Sequence, residues 1–295
     1  MLKQEELYMD YVNCKLCPRR CGVNRAAGER GWCGAPDTAL VAKTMLHQWE
    51  EPVLAPNGKS GAIFFGGCTL GCIYCQNRAI SRGCVGEAMD SGQLRAVMEE
   101  LIARGAENID LVTPTHYLPT ILPALEPKLP VPVVYNCGGY ERVETLRELE
   151  GKVDIYLPDL KYADRELGAA LSGAGNYFPV AKMAIKEMVR QTGFPQWDGD
   201  KLVRGTVVRH LILPGQVENS LRCLDWLGEN FKPGEVLVSL MRQYTPMEAT
   251  QNMSPFDRKI TDEEYDAVLS WMYLNDLQGF VQEGEAADKA FIPDF

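Results

Sequence analysis

The stretch AIFFGGCTLGCIYCQN, residues 62–77, decides how the rest of the chain is read. A short apolar and aromatic run ends in Gly66 and Gly67, and three cysteines follow: Cys68, Cys72 and Cys75. The run reads as a strand from its β-branched and aromatic content and its glycine stop. The cysteines, spaced CxxxCxxC, then sit on a tight loop at the strand's C-terminal end. Three thiolates on one loop can hold three corners of a [4Fe–4S] cube, whereas an electron-transfer cluster is usually held by four. The fourth iron is left open to a ligand the protein does not supply, as the open position of a catalytic zinc is.

Five more runs follow the same pattern: NIDLVTP (108–114), VPVVYN (131–136), VDIYLP (153–158), TVVRHLILP (206–214) and EVLVSL (235–240). Helical periodicity lies between them. Leu94, Val97, Met98, Leu101 and Ile102 recur at helical spacing in a segment that starts near Ser91 and ends at Gly105. Further helices are expected near 118–125, 141–150, 177–191 and 217–230, and residues 261–275 form another, with Thr261 and Glu264 as a capping box. Strands alternating with helices imply an α/β fold with a parallel sheet and right-handed crossovers. Six such units suit a partial (β/α)6 TIM-like barrel rather than a closed one of eight. The expected organisation is a cysteine-rich N-terminal segment (1–45), the barrel (46–241) and a C-terminal helical extension (242–295).

With 295 residues, 46% of them hydrophobic, the chain can bury a large core. A formal net charge of -10 gives no general attraction to nucleic acid or to an anionic membrane, and neither is expected as a partner. The N-terminus MLKQEELYMDYVNC is acidic where a signal peptide is basic, and no apolar run approaches the length of a membrane span, so a cytoplasmic protein is expected. Ten cysteines in that reducing compartment point to metal or cluster ligation rather than disulfides.

The cluster loop, with the aromatic Tyr74 before its third cysteine, resembles that of the radical S-adenosylmethionine superfamily. More of the chain resembles a narrower branch, the pyruvate formate-lyase activating enzyme-related proteins, in a subgroup with an N-terminal cysteine motif. The segments that carry this likeness are NGKSGAIFFGGCTLGCIYCQN, VDIYLPDLKY and VVRHLILPG, with CKLCPRRCGVNR, LVTPTHYLPTIL, VYNCGGYE and LMRQYTP. Together they span roughly residues 14–250. The resemblance implies a cluster that cleaves S-adenosylmethionine reductively to a 5′-deoxyadenosyl radical, which takes a hydrogen atom from substrate. It also implies a reductant such as flavodoxin or ferredoxin, and a glycyl radical enzyme as a candidate protein substrate. Modification of a peptide or small metabolite is the second enzymatic reading. A non-catalytic iron–sulfur or electron-transfer protein is the reading of a different class.

Cofactor contacts are expected from several residues besides Tyr74. Where many members of the superfamily carry a Gly-Gly-Glu-type turn, this chain has Val112-Thr113-Pro114-Thr115-His116-Tyr117, so Thr113 and Thr115 could accept the methionyl ammonium and His116 could face substrate. Asn136 ends the third strand at the barrel mouth and offers both a donor and an acceptor. By resemblance, Asp159 and Lys161 would contact the methionyl group or a nearby cation. Arg209 and His210 face opposite ways on their strand, and His210 is the one expected at the cofactor. Glu50 and Glu51 could shape substrate access.

Cys14, Cys17, Cys21 and Cys33 lie within twenty residues and could close a zinc site or hold a second, fully ligated iron–sulfur cluster. Arg19, Arg20, Arg25 and Arg30 could balance its charge. Of the remaining three, Cys223 reads as core, and Cys84 and Cys137 carry no stronger signal.

Overall fold

The computed structural model describes residues 10–48 and 50–282; residues 1–9 of the cysteine-rich segment and 283–295 of the extension lie outside the described residues. In chain order the elements are β1 (Ala39–His47), β2 (Ser60–Phe65), α1 (Arg78–Gly83), β3 (Glu87–Met89), α2 (Ser91–Ala103), β4 (Asn108–Val112), α3 (Leu118–Ala124), β5 (Val133–Cys137), α4 (Val143–Arg147) and β6 (Ile155–Pro158). They continue with α5 (Arg165–Ser172), α6 (Tyr177–Thr192), β7 (Gln196–Asp198), β8 (Lys201–Leu211), α7 (Val217–Asn230), β9 (Leu237–Met241), α8 (Asp262–Leu274) and β10 (Gly279–Val281).

The strands form one sheet in the order β10-β9-β8-β6-β5-β4-β2-β1-β3, with β7 paired to β8. The run from β2 to β9 is parallel throughout, so the six expected strands form the partial barrel in chain order. Both edges are extended by elements the sequence reading did not include. The antiparallel β1 and β3 lie beyond β2, and β10 adds a further parallel strand to β9. The C-terminal extension is therefore not purely helical, and the N-terminal segment ends in a strand of the barrel sheet itself.

Period-two alternation sorts each strand into two faces. Ile109 and Leu111 of β4, Val133 and Tyr135 of β5 and Tyr156 of β6 face outward to α2, α3 and α6. Val208 of β8 and Val238 and Leu240 of β9 face α7 and α8. On the inner face Val134, Ile155, Leu157, Val207 and Leu237 converge on Leu54, which is 1% exposed. Leu54 belongs to the connection between β1 and β2. Asn108 Nδ2 donates to its carbonyl at 2.7 Å, and the Leu202 amide donates to the Val53 carbonyl at 2.8 Å. Residues 50–59 are thus a plug that closes the N-terminal end of the barrel with an apolar side chain. The same inner faces become polar toward the other end, at Asn136, Asp159, Arg209 and Ser239.

Leu54→Ala should destabilise the protein by about 2–4 kcal/mol, because the floor strands cannot collapse onto the vacated volume. Urea unfolding with an unchanged m-value is the measurement.

Candidate active site

The three-cysteine loop leaves β2 at the C-terminal end of the barrel. Gly67 turns there with φ +88°, and a Cβ on it would lie 2.8 Å from the Cys33 carbonyl and 3.2 Å from His116 Nε2, so only glycine fits. Cys68 Sγ accepts the amides of Leu70 and Gly71, each at 3.4 Å. Cys72 Sγ accepts the hydroxyls of Ser172 at 3.1 Å and Tyr162 at 3.7 Å. Cys75 Sγ accepts Ser81 Oγ at 3.6 Å. Burial, then the neighbouring thiols Cys72 and Cys75, push the Cys68 thiol up to about 12. Burial and then Cys72 raise Cys75 as well, and three thiols gathered on one loop form a donor set suited to a metal cluster, which would ionise them. Five hydrogen-bond donors already face the sulfurs, and they would stabilise the charge of a thiolate-held cluster.

Below this loop lies a ring of charge. Asp159 accepts Lys161 Nζ at 2.6 Å and Arg209 Nε at 2.9 Å, while Arg209 also donates to Asn136 Oδ1 at 2.6 Å and approaches Glu50 at 3.8 Å. Asn136 Nδ2 donates to Asp110 Oδ2 at 3.2 Å, and Ser239 Oγ donates to Glu51 Oε1 at 2.8 Å. Burial alone would raise Asp159, but Arg209 and Lys161 outweigh it and hold the carboxyl below its usual range. Burial opposes ionisation of Lys161 too, yet Asp159 and then Cys72 raise its pKa. The other two acids go the opposite way. Asp110 is pushed well up by burial and by Glu50, and Glu51 is raised to about 7 by burial and by Glu50. Asp159 is thus held ionised between two cations, while Asp110, and Glu51 below about pH 7, keep their protons. The side chains of Glu50, Asp159, Lys161 and Arg209 retain 10–17% exposure, so solvent still reaches them.

The structure brings Asn136, Asp159 and Lys161 together beside the cluster loop. Thr113 sits at the end of β4 with φ +60°, its amide bonded to the Asn136 carbonyl at 2.8 Å. Tyr74 lies behind the loop, 6% exposed, with its hydroxyl 2.7 Å from that of Tyr162.

Three expectations are corrected. His210 faces away from the lumen: its Nδ1 meets the Leu160 carbonyl at 2.6 Å and its Nε2 meets Ser220 Oγ of α7 at 2.9 Å, and burial lowers it to about 4. Arg209 takes the inward position because strand alternation admits only one of the pair. Thr115 is turned outward, where its hydroxyl donates to Glu141 at 2.8 Å and accepts from Tyr135 at 3.2 Å. His116 does not face substrate; its Nε2 meets the Gly66 carbonyl at 2.8 Å, and burial keeps the ring neutral by lowering it to about 3. Asp110 and Arg209 were missed as site residues, although an aspartate inside the apolar run NIDLV was a visible signal.

The N-terminal cysteines are brought to one another as well. Burial raises Cys17 and Cys33, and each is raised further by neighbouring thiols of the four. Arg25 is 1% exposed among them, and its hydrogen bonds go to the carbonyls of Pro36 and His116 and to Cys14 Sγ rather than to a carboxylate. Among the described residues, no group of three His, Cys, Asp or Glu side chains is drawn tightly enough to hold a single metal ion. Among them, too, no helix is long and apolar enough to cross a membrane.

No protein-family model matches the chain. Its fold is similar to that of a radical SAM methyltransferase from Sphaerobacter thermophilus: the TM-score is 0.53 at 13% identity, covering 77% of this chain and 67% of that one. The likeness is one of fold, a partial barrel with helices outside. In sequence, the chain belongs to the same family as the uncharacterized protein MJ0674 of Methanocaldococcus jannaschii. The two are 30% identical over 281 residues, covering 91% of this chain and 76% of that protein.

The charge ring yields a pH dependence. Folded Glu51 keeps its proton to about pH 7, whereas the unfolded group releases it near 4.5, so folding takes up a proton between those values. Wild-type stability falls as pH rises through that window. The stability of Glu51→Gln relative to wild type should rise across it, by on the order of 1–2 kcal/mol after allowance for partial exposure, and then level off. Urea unfolding of both proteins across and above the window measures this.

Proposed function

We propose that this protein is a radical S-adenosylmethionine enzyme. The observation that carries the reading is the position of Cys68, Cys72 and Cys75: three thiols on a donor-rich loop at the C-terminal end of the first parallel strand, above a charged layer of the barrel interior. Cys68, Cys72 and Cys75 would hold a [4Fe–4S] cluster, which would supply the one-electron reduction that cleaves S-adenosylmethionine for hydrogen-atom abstraction from substrate.

The chain's own residues do the rest. The amides of Leu70 and Gly71 and the hydroxyls of Ser81, Tyr162 and Ser172 hold the sulfurs in place and offset their charge. Asp159 offers a carboxylate to the methionyl ammonium, while Lys161 and Arg209 offer cations to its carboxylate; each is already ionised and oriented by the others. Asn136 and Thr113 complete the rim. The Leu54 plug keeps water from entering the lumen through the barrel floor.

For the substrate, the likeness of the motifs to activating enzymes supports a glycine Cα in a partner protein, stored there as a glycyl radical, with a peptide as the equal alternative. The electron comes from a flavodoxin or ferredoxin. We also propose that Cys14, Cys17, Cys21 and Cys33 hold zinc or a second cluster, whose negative charge would partner the buried Arg25.

Anaerobic reconstitution should give about four irons at the three-cysteine loop, and dithionite with S-adenosylmethionine should yield 5′-deoxyadenosine. Cys72→Ala should abolish that product; a variant that still made it would exclude the assignment. A protein that binds iron at the loop yet never forms 5′-deoxyadenosine would be an electron-transfer protein. Metal analysis of a variant lacking all three loop cysteines reads the N-terminal site alone, and finding neither iron nor zinc would remove it.

A further inference from the structure

The N-terminal cysteine turn reaches the cluster loop through one side chain. Cys14 and Gly22 close the turn, with the Cys14 amide on the Val23 carbonyl at 3.0 Å and the Gly22 amide on the Cys14 carbonyl at 2.9 Å. Within it the Arg20 amide bonds the Cys17 carbonyl at 3.0 Å and Arg20 itself adopts φ +45°. Arg19 projects from this turn, stacked 4.0 Å over Trp32 and 5.2 Å from the Tyr140 ring centre. Its guanidinium donates to four carbonyls: Thr69 at 3.1 Å and Leu70 at 3.3 Å in the cluster loop, and Ser172 at 2.8 Å and Gly173 at 2.5 Å at the end of α5. Trp32 Nε1 adds a second donor to Leu70, at 3.3 Å.

Both groups of carbonyls lead to Cys72. The cluster loop contains it, and Ser172 gives it a hydroxyl at 3.1 Å, while the Ile73 amide next to it bonds the Leu171 carbonyl at 2.9 Å. A helix C-terminus presents unsatisfied carbonyls and a partial negative charge, so a guanidinium there caps α5 as well as holding the loop. The planar fork can satisfy two loop carbonyls and two helix carbonyls at once, which an ammonium on a flexible stem cannot. All of these hydrogen bonds go to neutral carbonyls, so none of them pairs the guanidinium with a carboxylate.

We infer that Arg19 is a positioning residue for the loop bearing Cys68, Cys72 and Cys75, and that the N-terminal cysteine turn serves to present it. The inference rests on the radical S-adenosylmethionine reading only for what the loop holds; the clamp itself is a property of the metal-free chain. Two measurements on the full-length protein test these parts separately. In metal-free protein, alkylation of Cys72 by iodoacetamide, read by mass spectrometry, should be about tenfold faster in Arg19→Gln than in wild type, equivalent to about 1.4 kcal/mol less protection of the loop. Arg19→Lys should remain fast, because it keeps the charge without the fork. In reconstituted protein with unchanged iron content, Arg19→Gln should move the cluster potential to more negative values, and Arg19→Lys should restore it toward wild type.

An Arg19→Gln protein that melts lower but keeps the wild-type alkylation rate and cluster potential would reduce Arg19 to a general structural contact and overturn the inference. If wild type assembles no cluster, the function proposed above fails, and the alkylation comparison still decides whether Arg19 holds the loop.

Discussion

Asp159 holds two buried cations at once, and the barrel interior is arranged around that demand. Lys161 and Arg209 approach it at 2.6 and 2.9 Å, in a region where an unpaired charge would be costly. Glu50 rises from the plug beneath and approaches Arg209 at 3.8 Å. That brings Glu51 with it and places Glu50 beside Asp110. Burial raises Asp110 and Glu51, so these two acids hold their protons more tightly than free carboxylates do. These interactions thus couple the plug, the strands and the rim into one structure, directly under the three-cysteine loop.

The loop depends on a second set of constraints from outside the barrel. Gly67 must turn beneath the Cys33 carbonyl, and the carbonyls of Thr69 and Leu70 are taken by Arg19 and Trp32. The N-terminal segment has little apolar core of its own. It is ordered by docking, through Arg142 and Thr145 on the carbonyls of Lys15 and Leu16 and through Arg25 on those of Pro36 and His116. Supported loop and charged lumen therefore come from different parts of the chain, and they meet at Cys72 and Lys161.

Much of the fold was legible because period-two and period-3.6 patterns report burial directly. The six parallel strands, α2, α6, α7 and the Thr261 capping box all stand where the pattern put them. Among the strands, two that escaped had weak patterning. Beyond its first three residues β1 is partly exposed at every position, and β7 is exposed throughout, so neither carries a strong alternation. The plug escaped because nothing local to Leu54 says that the inner faces of four strands will pack on it. Of the candidate site, the cysteines were singled out by spacing together with the strand before them, Asn136 by its place at a strand end, and Asp159 and Lys161 by motif resemblance; their roles are those proposed above. The misreading of His210 arose because alternation fixes that Arg209 and its neighbour diverge but not which of them points inward.

The sequence by itself determined the alternation of strands and helices, the presence of a three-thiol loop after the first barrel strand, and which residue types could carry chemistry. Those are local properties, set by periodicity and by covalent spacing. Tertiary structure decided which face of each strand became the lumen, that Arg209 rather than His210 lines it, that Glu50 and Glu51 rise into it, and that Arg19 reaches the cluster loop. Each of these is a contact between segments far apart in the chain, made when buried charges and orphan carbonyls find partners, and no local pattern encodes where such partners lie.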